Sequence, residues 1–175
     1  VARIEAGHGH WVLRAADSRA LAEAELVFVT AGFDSLALLD AACGHAPPLH
    51  ALRGQVAYGP MPEAAQADAL PRFPVNGHGS LIAHLPGAAG PWWITGATFE
   101  RGNAAAQLRG ADHEANRERL AELLPAASAA LSAQWTDGRA QAWAGVRATL
   151  PDRLPAVGAW AAAKEKKKKM APALD

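Results

Sequence analysis

Arg147 is the side chain whose surroundings most clearly suggest chemistry. It lies in WAGVRATLPDRLPAVG, residues 143–158, after alternating small and apolar residues that place it at a strand end. Pro151 and Pro155 follow, and neither can donate a ladder hydrogen bond, so the chain must leave the sheet there. An arginine on a strand end beside a stiff loop presents a planar cationic fork suited to a carboxylate. The competing reading is an ion pair with Asp152 or a glutamate. Arg53-Gly54-Gln55 is a second candidate, with a cation and an amide around a glycine where backbone can approach a partner. It reads equally well as a solvated strand pair.

Other chemistries find little support. The seven histidines show no metal-ligand spacing, because His8 and His10 are two apart without a Cys or acidic partner. Cys43, the lone cysteine, cannot close an internal disulfide; a reducing cytoplasm is the simplest compartment, and the thiol reads as a small buried hydrophobe. No G-x-S-x-G is present. The formal net charge is zero, so the body of the chain exerts no strong sequence-independent pull on nucleic acid. No run approaches the ~20 apolar residues of a membrane span. Six tryptophans are many for 175 residues. They suit core packing, while an exposed one, such as one of Trp92-Trp93, could stack on an unpaired base.

The elements that would position Arg147 can be read in order. Trp11–Ala15 predicts a short strand, with a polar turn at Asp17-Ser18-Arg19. Leu26–Thr30 predicts a strand covered on both faces, running into Ala31-Gly32. Asp34 could cap a helix through Ala42. Pro47-Pro48 marks a boundary. His50–Tyr58 follows as a strand, residues 59–71 as a Pro-rich loop, and Arg72–Leu85 as a hairpin turning at Asn76-Gly77. Pro91–Phe99 predicts a strand with a bulge or close approach at Gly96. One main helix runs from Asp112 to Leu124, stopped by Pro125. Arg139–Ala148 is the last long strand. The Lys-rich block 164–169 reads as a solvated or non-native tail.

Four pieces occur together in one order. They are VFVTAG (27–32), LRGQV (52–56), ITGATFE (94–100) and GVRATLPDRLPAVG (145–158). Together they resemble the FAD-dependent glycine and D-amino-acid oxidase superfamily. Within it they look most like the oxidoreductase part of the bifunctional tRNA 5-methylaminomethyl-2-thiouridine (MnmC) family. The resemblance runs from about Trp11 to Gly158. It departs from the superfamily pattern in lacking G-x-G-x-x-G, since Val12 and Ile82 stand where the third glycine belongs after Gly7-His8-Gly9 and Gly77-His78-Gly79. A fragment without its dinucleotide-binding half is therefore expected.

The resemblance implies an α/β (α+β) fold of D-amino-acid oxidase type. A partial FAD-binding domain would span 1–44, and a mostly antiparallel substrate domain with one helix 45–146. A return segment would span 147–160 and the tail 161–175. It implies FAD as cofactor, with Thr30, Ala31, Gly32, Thr149, Pro151, Asp152, Arg153, Leu154 and Pro155 along it. It implies Arg147 as carboxylate anchor, with Arg53 and Gln55 lining the pocket, and no metal. The substrate would be a wobble uridine of tRNA carrying a carboxymethylaminomethyl group, an N-alkylated glycine. The flavin would take a hydride from the carbon beside nitrogen, and water would hydrolyse the imine. A methyltransferase domain would be the covalent partner, in the cytoplasm. The alternatives are an oxidase of a free small amine or amino acid, and a non-catalytic recognition module. A tRNA enzyme should rim Arg147 with Arg53, Arg72, Arg101 and Arg109.

Overall fold

The computed structural model describes residues 1–160. The Lys-rich tail lies outside them. The chain divides into two compact units, one of Val1–Leu49 with the chain from Leu150 onward, the other of His50–Thr149.

In the first unit, β1 (Arg3–Ala6), β2 (Trp11–Arg14) and β3 (Ala20–Ala24) form an antiparallel meander. Ser18 takes a positive φ in the turn between β2 and β3. Ile4 and Val12 point inward, and so does Cys43 from α1 (Ser35–Cys43), which packs on β1. Gly44 ends α1 at φ 73°, a left-handed cap that glycine adopts without a Cβ penalty. Asp34 stands at the helix start, but its carboxylate makes no capping bond. The expected strand over Leu26–Thr30 does not form. The segment has no ladder partner among the described residues, and Leu26 and Phe28 are 67% and 79% exposed. An apolar run suited to a covered strand becomes one only with a neighbour to pair with.

The second unit is built on a five-stranded antiparallel sheet in the order β5-β6-β7-β4-β8. Its strands are β4 (His50–Pro60), β5 (Val75–Gly77), β6 (Gly79–Leu85), β7 (Trp92–Arg101) and β8 (Gln141–Thr149). β4 lies between β7 and the edge strand β8, and its burial alternates strictly from His50 to Pro60. Ala51, Arg53, Gln55 and Ala57 face one way, where α3 (Gly110–Leu123) and α4 (Pro125–Thr136) cover the sheet. Trp93, Leu81, Leu120 and Leu131 fill that interface. Trp93 Nε1 donates to Gln134 Oε1 at 3.1 Å, which satisfies the buried indole.

Several elements differ from those the sequence predicts. α4 was not expected; Pro125 ends α3 but also starts α4, the one helical position where a missing N–H costs nothing. A short α2 (Ala64–Ala67) interrupts the Pro-rich loop. Asn76 and Gly77 are strand residues opposite Ser80 and Gly79, so the hairpin turns at His78. β8 runs to Thr149, so Arg147 belongs to the second unit's sheet rather than to a return segment.

Candidate active site

The other face of the sheet carries no helix among the described residues. Register places its residues in rows across β7, β4 and β8. One row is Arg101, Leu52 and Arg147; the next is Phe99, Gly54 and Gly145; the third joins Gly96, Val56 and Trp143. Ala97 is the extra residue of a bulge, since Gln55 pairs with Thr98 and Val56 with Gly96. Gly96 has φ +140°, and a Cβ there would come within 3.1 Å of Val56 Cα, so both conformation and space require glycine. The bulge is held from three sides. Ser80 Oγ donates to Gly96 O at 2.6 Å, Arg119 Nη1 to Ala97 O at 3.0 Å, and Asn116 Nδ2 to Gln55 O at 2.9 Å.

This face is hollowed into a depression of about 570 Å3, lined by Val56, Ile82, Ile94, Phe99, Arg119 and Arg147 among others. The size lies within the ~300–1,000 Å3 range of small-molecule sites. Arg147 is exposed in it. The carboxylates that take arginines in this unit are committed elsewhere: Asp112 to Arg53, Glu100 to Arg109, Glu114 to Arg117 and Asp137 to Arg139. None reaches Arg147 among the described residues, so its guanidinium faces the depression without a counter-charge.

Arg53 and Gln55 lie on the opposite, helix-covered face, 1% and 0% exposed. Arg53 Nη1 donates to Asp112 Oδ2 at 2.6 Å, Nη2 to Gln55 Oε1 at 3.0 Å, and both Nε and Nη2 to Gln107 O. Gln55 brackets Arg109, accepting from its backbone N–H and donating to its carbonyl, each at 2.9 Å. They clamp the start of α3 and do not line the depression, which corrects both the pocket expectation and the solvated-pair alternative. Nor does the expected basic rim assemble. Arg53 is buried, and Arg109 pairs with Glu100 at 2.7 Å. Arg72 is an exposed loop residue beyond the sheet. Arg101 alone shares the row and face of Arg147.

The remaining predicted residues are exposed, apart from Thr149, which is half-buried. In the first unit Thr30, Ala31 and Gly32 follow the unpaired segment, with Gly32 at φ +59°. From Leu150 the chain makes a tight turn. Arg153 N–H donates to Leu150 O at 3.0 Å, Arg153 takes φ 63°, and Asp152 Oδ1 accepts from Leu154 N–H at 3.0 Å. Pro151 and Pro155 flank this turn in solvent. Thr149 closes β8 with its hydroxyl on His50 O at 3.3 Å.

Phe99 and Trp143 were not singled out from sequence. Counting back from Arg147 in steps of two reaches Gly145 and Trp143, so that alternation was a usable signal. Phe99 was hidden by the bulge, which resets parity within β7.

Comparison with known proteins decides the family. Residues 1–167 match the family described as FAD dependent oxidoreductase. The chain belongs to that family. Among curated relatives it is similar to the tRNA 5-methylaminomethyl-2-thiouridine biosynthesis bifunctional protein MnmC of Polaromonas sp. (strain JS666 / ATCC BAA-500). The two are 49% identical over 158 residues, 87% of this chain and 25% of that protein. The protein of the same name from Polaromonas naphthalenivorans (strain CJ2) is 44% identical over 153 residues, 86% of this chain and 24% of the other. The chain thus spans about a quarter of these relatives' length. In fold it resembles glycine oxidase from Geobacillus kaustophilus, with TM-score 0.64 and 22% identity over 90% of this chain and 38% of that one. The expected oxidase-type fold is therefore the observed one.

The family's flavin can be tested against these residues. A largely apolar depression lined by Arg147 and by Arg119, whose Nη1 is taken up by the Ala97 carbonyl, suits a planar ring and an acidic group. The diphosphate end finds no match among the described residues. The chain has no G-x-G-x-x-G, and the helical turn after Ala31 carries Asp34, whose charge opposes a phosphate.

Proposed function

We infer that the chain is the substrate-holding part of an FAD-dependent oxidoreductase. Its reaction removes the carboxymethyl group from carboxymethylaminomethyl-(thio)uridine at the tRNA wobble position. The observation that carries this is the uncompensated Arg147 guanidinium on the open sheet face, in a chain 49% identical to an MnmC protein over most of its length. FAD, when bound, supplies the hydride acceptor. Arg147 grips the glycine-like carboxylate, a charge-assisted contact for which the guanidinium fork has bidentate geometry. That grip fixes the carbon beside nitrogen in place, which is most of what such a reaction asks of the protein. Val56, Ile82 and Ile94 exclude water from the bound arm. Within the first unit, the turn at 151–155 and the Thr30–Gly32 segment leave backbone groups exposed that suit a cofactor contact.

The diphosphate of FAD, the linked methyltransferase domain and the tRNA body are held by parts of the protein other than these residues. The isolated chain should therefore retain little FAD. A cytoplasmic setting follows from the same reading; among the described residues no helix is long and apolar enough to cross a membrane.

The test is the nucleoside content of tRNA from cells lacking the gene for this chain, measured by mass spectrometry. Carboxymethylaminomethyl-uridines should accumulate, and re-expression should remove them while an Arg147→Ala version does not. An unchanged nucleoside profile would overturn the reading.

A further inference from the structure

Two large aromatic rings sit on the open face beside Arg147. Trp143 and Phe99 are each 62% exposed. Their placement follows from a pair of glycines. Gly54 and Gly145 are directly paired across β4 and β8. A Cβ on Gly145 would lie 2.3 Å from Trp143 Cη2, so the indole lies over Gly145. A Cβ on Gly54 would lie 3.8 Å from Phe99 Cδ1, so the phenyl ring leans towards Gly54. The rings thus flank one glycine pair and form an aromatic shelf. The adjoining row bears Arg101 and Arg147 on either side of Leu52. Exposed aromatics bordered by cations complement a flat base with anionic attachments.

We propose that Trp143, with Phe99 beside it, is the specificity-determining surface of the site, stacking on the pyrimidine base whose side arm Arg147 holds. The spacing agrees. Gly145, under the indole, is two residues from Arg147, ~7 Å along a strand. The arm from base to carboxylate has four bonds of ~1.5 Å and spans about 5 Å. Arg101 is on hand for the nucleotide's phosphate. This deepens the function proposed above and rests on it: the shelf has a purpose only if the glycine is carried on a nucleoside.

The test is titration of the purified chain by calorimetry with three probes: carboxymethylaminomethyl-uridine 5′-monophosphate, uridine 5′-monophosphate and N-methylglycine. Wild type should bind the modified nucleotide at least fivefold more tightly than N-methylglycine, since each stacked base is worth that much or more. Trp143→Ala should remove that margin while N-methylglycine affinity stays within twofold, and Trp143→Phe should restore part of it. Gly145→Ala, which keeps the indole but displaces it, should act like Trp143→Ala. Arg147→Ala should weaken the two probes that carry the glycine carboxylate. Thermal midpoints check that each variant folds. Equal binding of nucleotide and N-methylglycine by wild type, no nucleotide binding at all, or a margin indifferent to Trp143→Ala, would overturn the shelf. The tRNA profile above is read independently, so loss of the shelf and loss of the function remain distinguishable.

Discussion

Arg53 and Arg147 sit side by side in the sheet yet have opposite fates. Leu52 pairs with Arg147, and Arg53 is the next residue along β4. One step of strand parity sends Arg53 under α3, 1% exposed and tied to Asp112, and leaves Arg147 in the open depression without a carboxylate. The same side chain is thus a structural clamp on one face and a ligand-seeking group on the other. What distinguishes them is whether the molecule already supplies the counter-charge.

That contrast can be broken most severely on the covered face. Arg53→Met should cost about 3–5 kcal/mol, because it strands Asp112 and the carbonyl of Gln107. Urea unfolding would measure it, and a loss under 1 kcal/mol would mean the clamp is not structural. On the open face, Arg147→Ala should leave stability within about 0.5 kcal/mol of wild type. It should nevertheless lose about 10- to 100-fold in affinity for N-alkylated glycines, the value of charge-assisted hydrogen bonds worth ~1.5–3 kcal/mol. If it unfolds the chain instead, the two arginines are not different in kind.

Asn116→Ala sharpens the comparison, because this buried amide reaches from the helix side to Gln55 O on β4, directly opposite the bulge in β7. Leaving Gln55 O without its donor should cost about 1–2 kcal/mol. It should also loosen the Gly96-Ala97 corner, visible as faster amide exchange there than at Leu81.

The smallest effect expected is with pH. Desolvation by burial holds His113 below its ordinary 6.5, with nearby Glu114 pulling the other way. A lowered histidine pKa means the unfolded chain binds the proton more readily. Stability is therefore full above about pH 6.5 and declines as pH falls through the folded value. His113→Phe, which keeps the ring contact with Trp135, should flatten that slope. An unchanged slope would assign it to other groups.

Much of the fold was legible because long strands announce themselves by alternation. His50–Tyr58 and Arg139–Ala148 come within three residues of β4 and β8, and Asp112–Leu124 within two of α3. Gly96 was readable as a bulge because a strand interior has little other use for glycine. The misses share a cause. Leu26–Thr30 has the composition of a buried strand but no pairing partner among the described residues, and α4 was masked because Pro125 both stops and starts a helix. Arg53 and Gln55 looked available because a guanidinium and an amide are usually solvated. Only Asp112, Gln107 and Arg109, more than 50 residues away, make burying them tolerable.

What residue order alone determined here is local: strand lengths, the bulge glycine, and an arginine at a β-terminus followed by two prolines. Which face each strand turned to the helices was decided by tertiary packing, because side-chain direction alternates at every residue and only the docked α3 and α4 say which half is inside. That choice buried one guanidinium with its carboxylate and left the other, with Trp143 and Phe99, facing out.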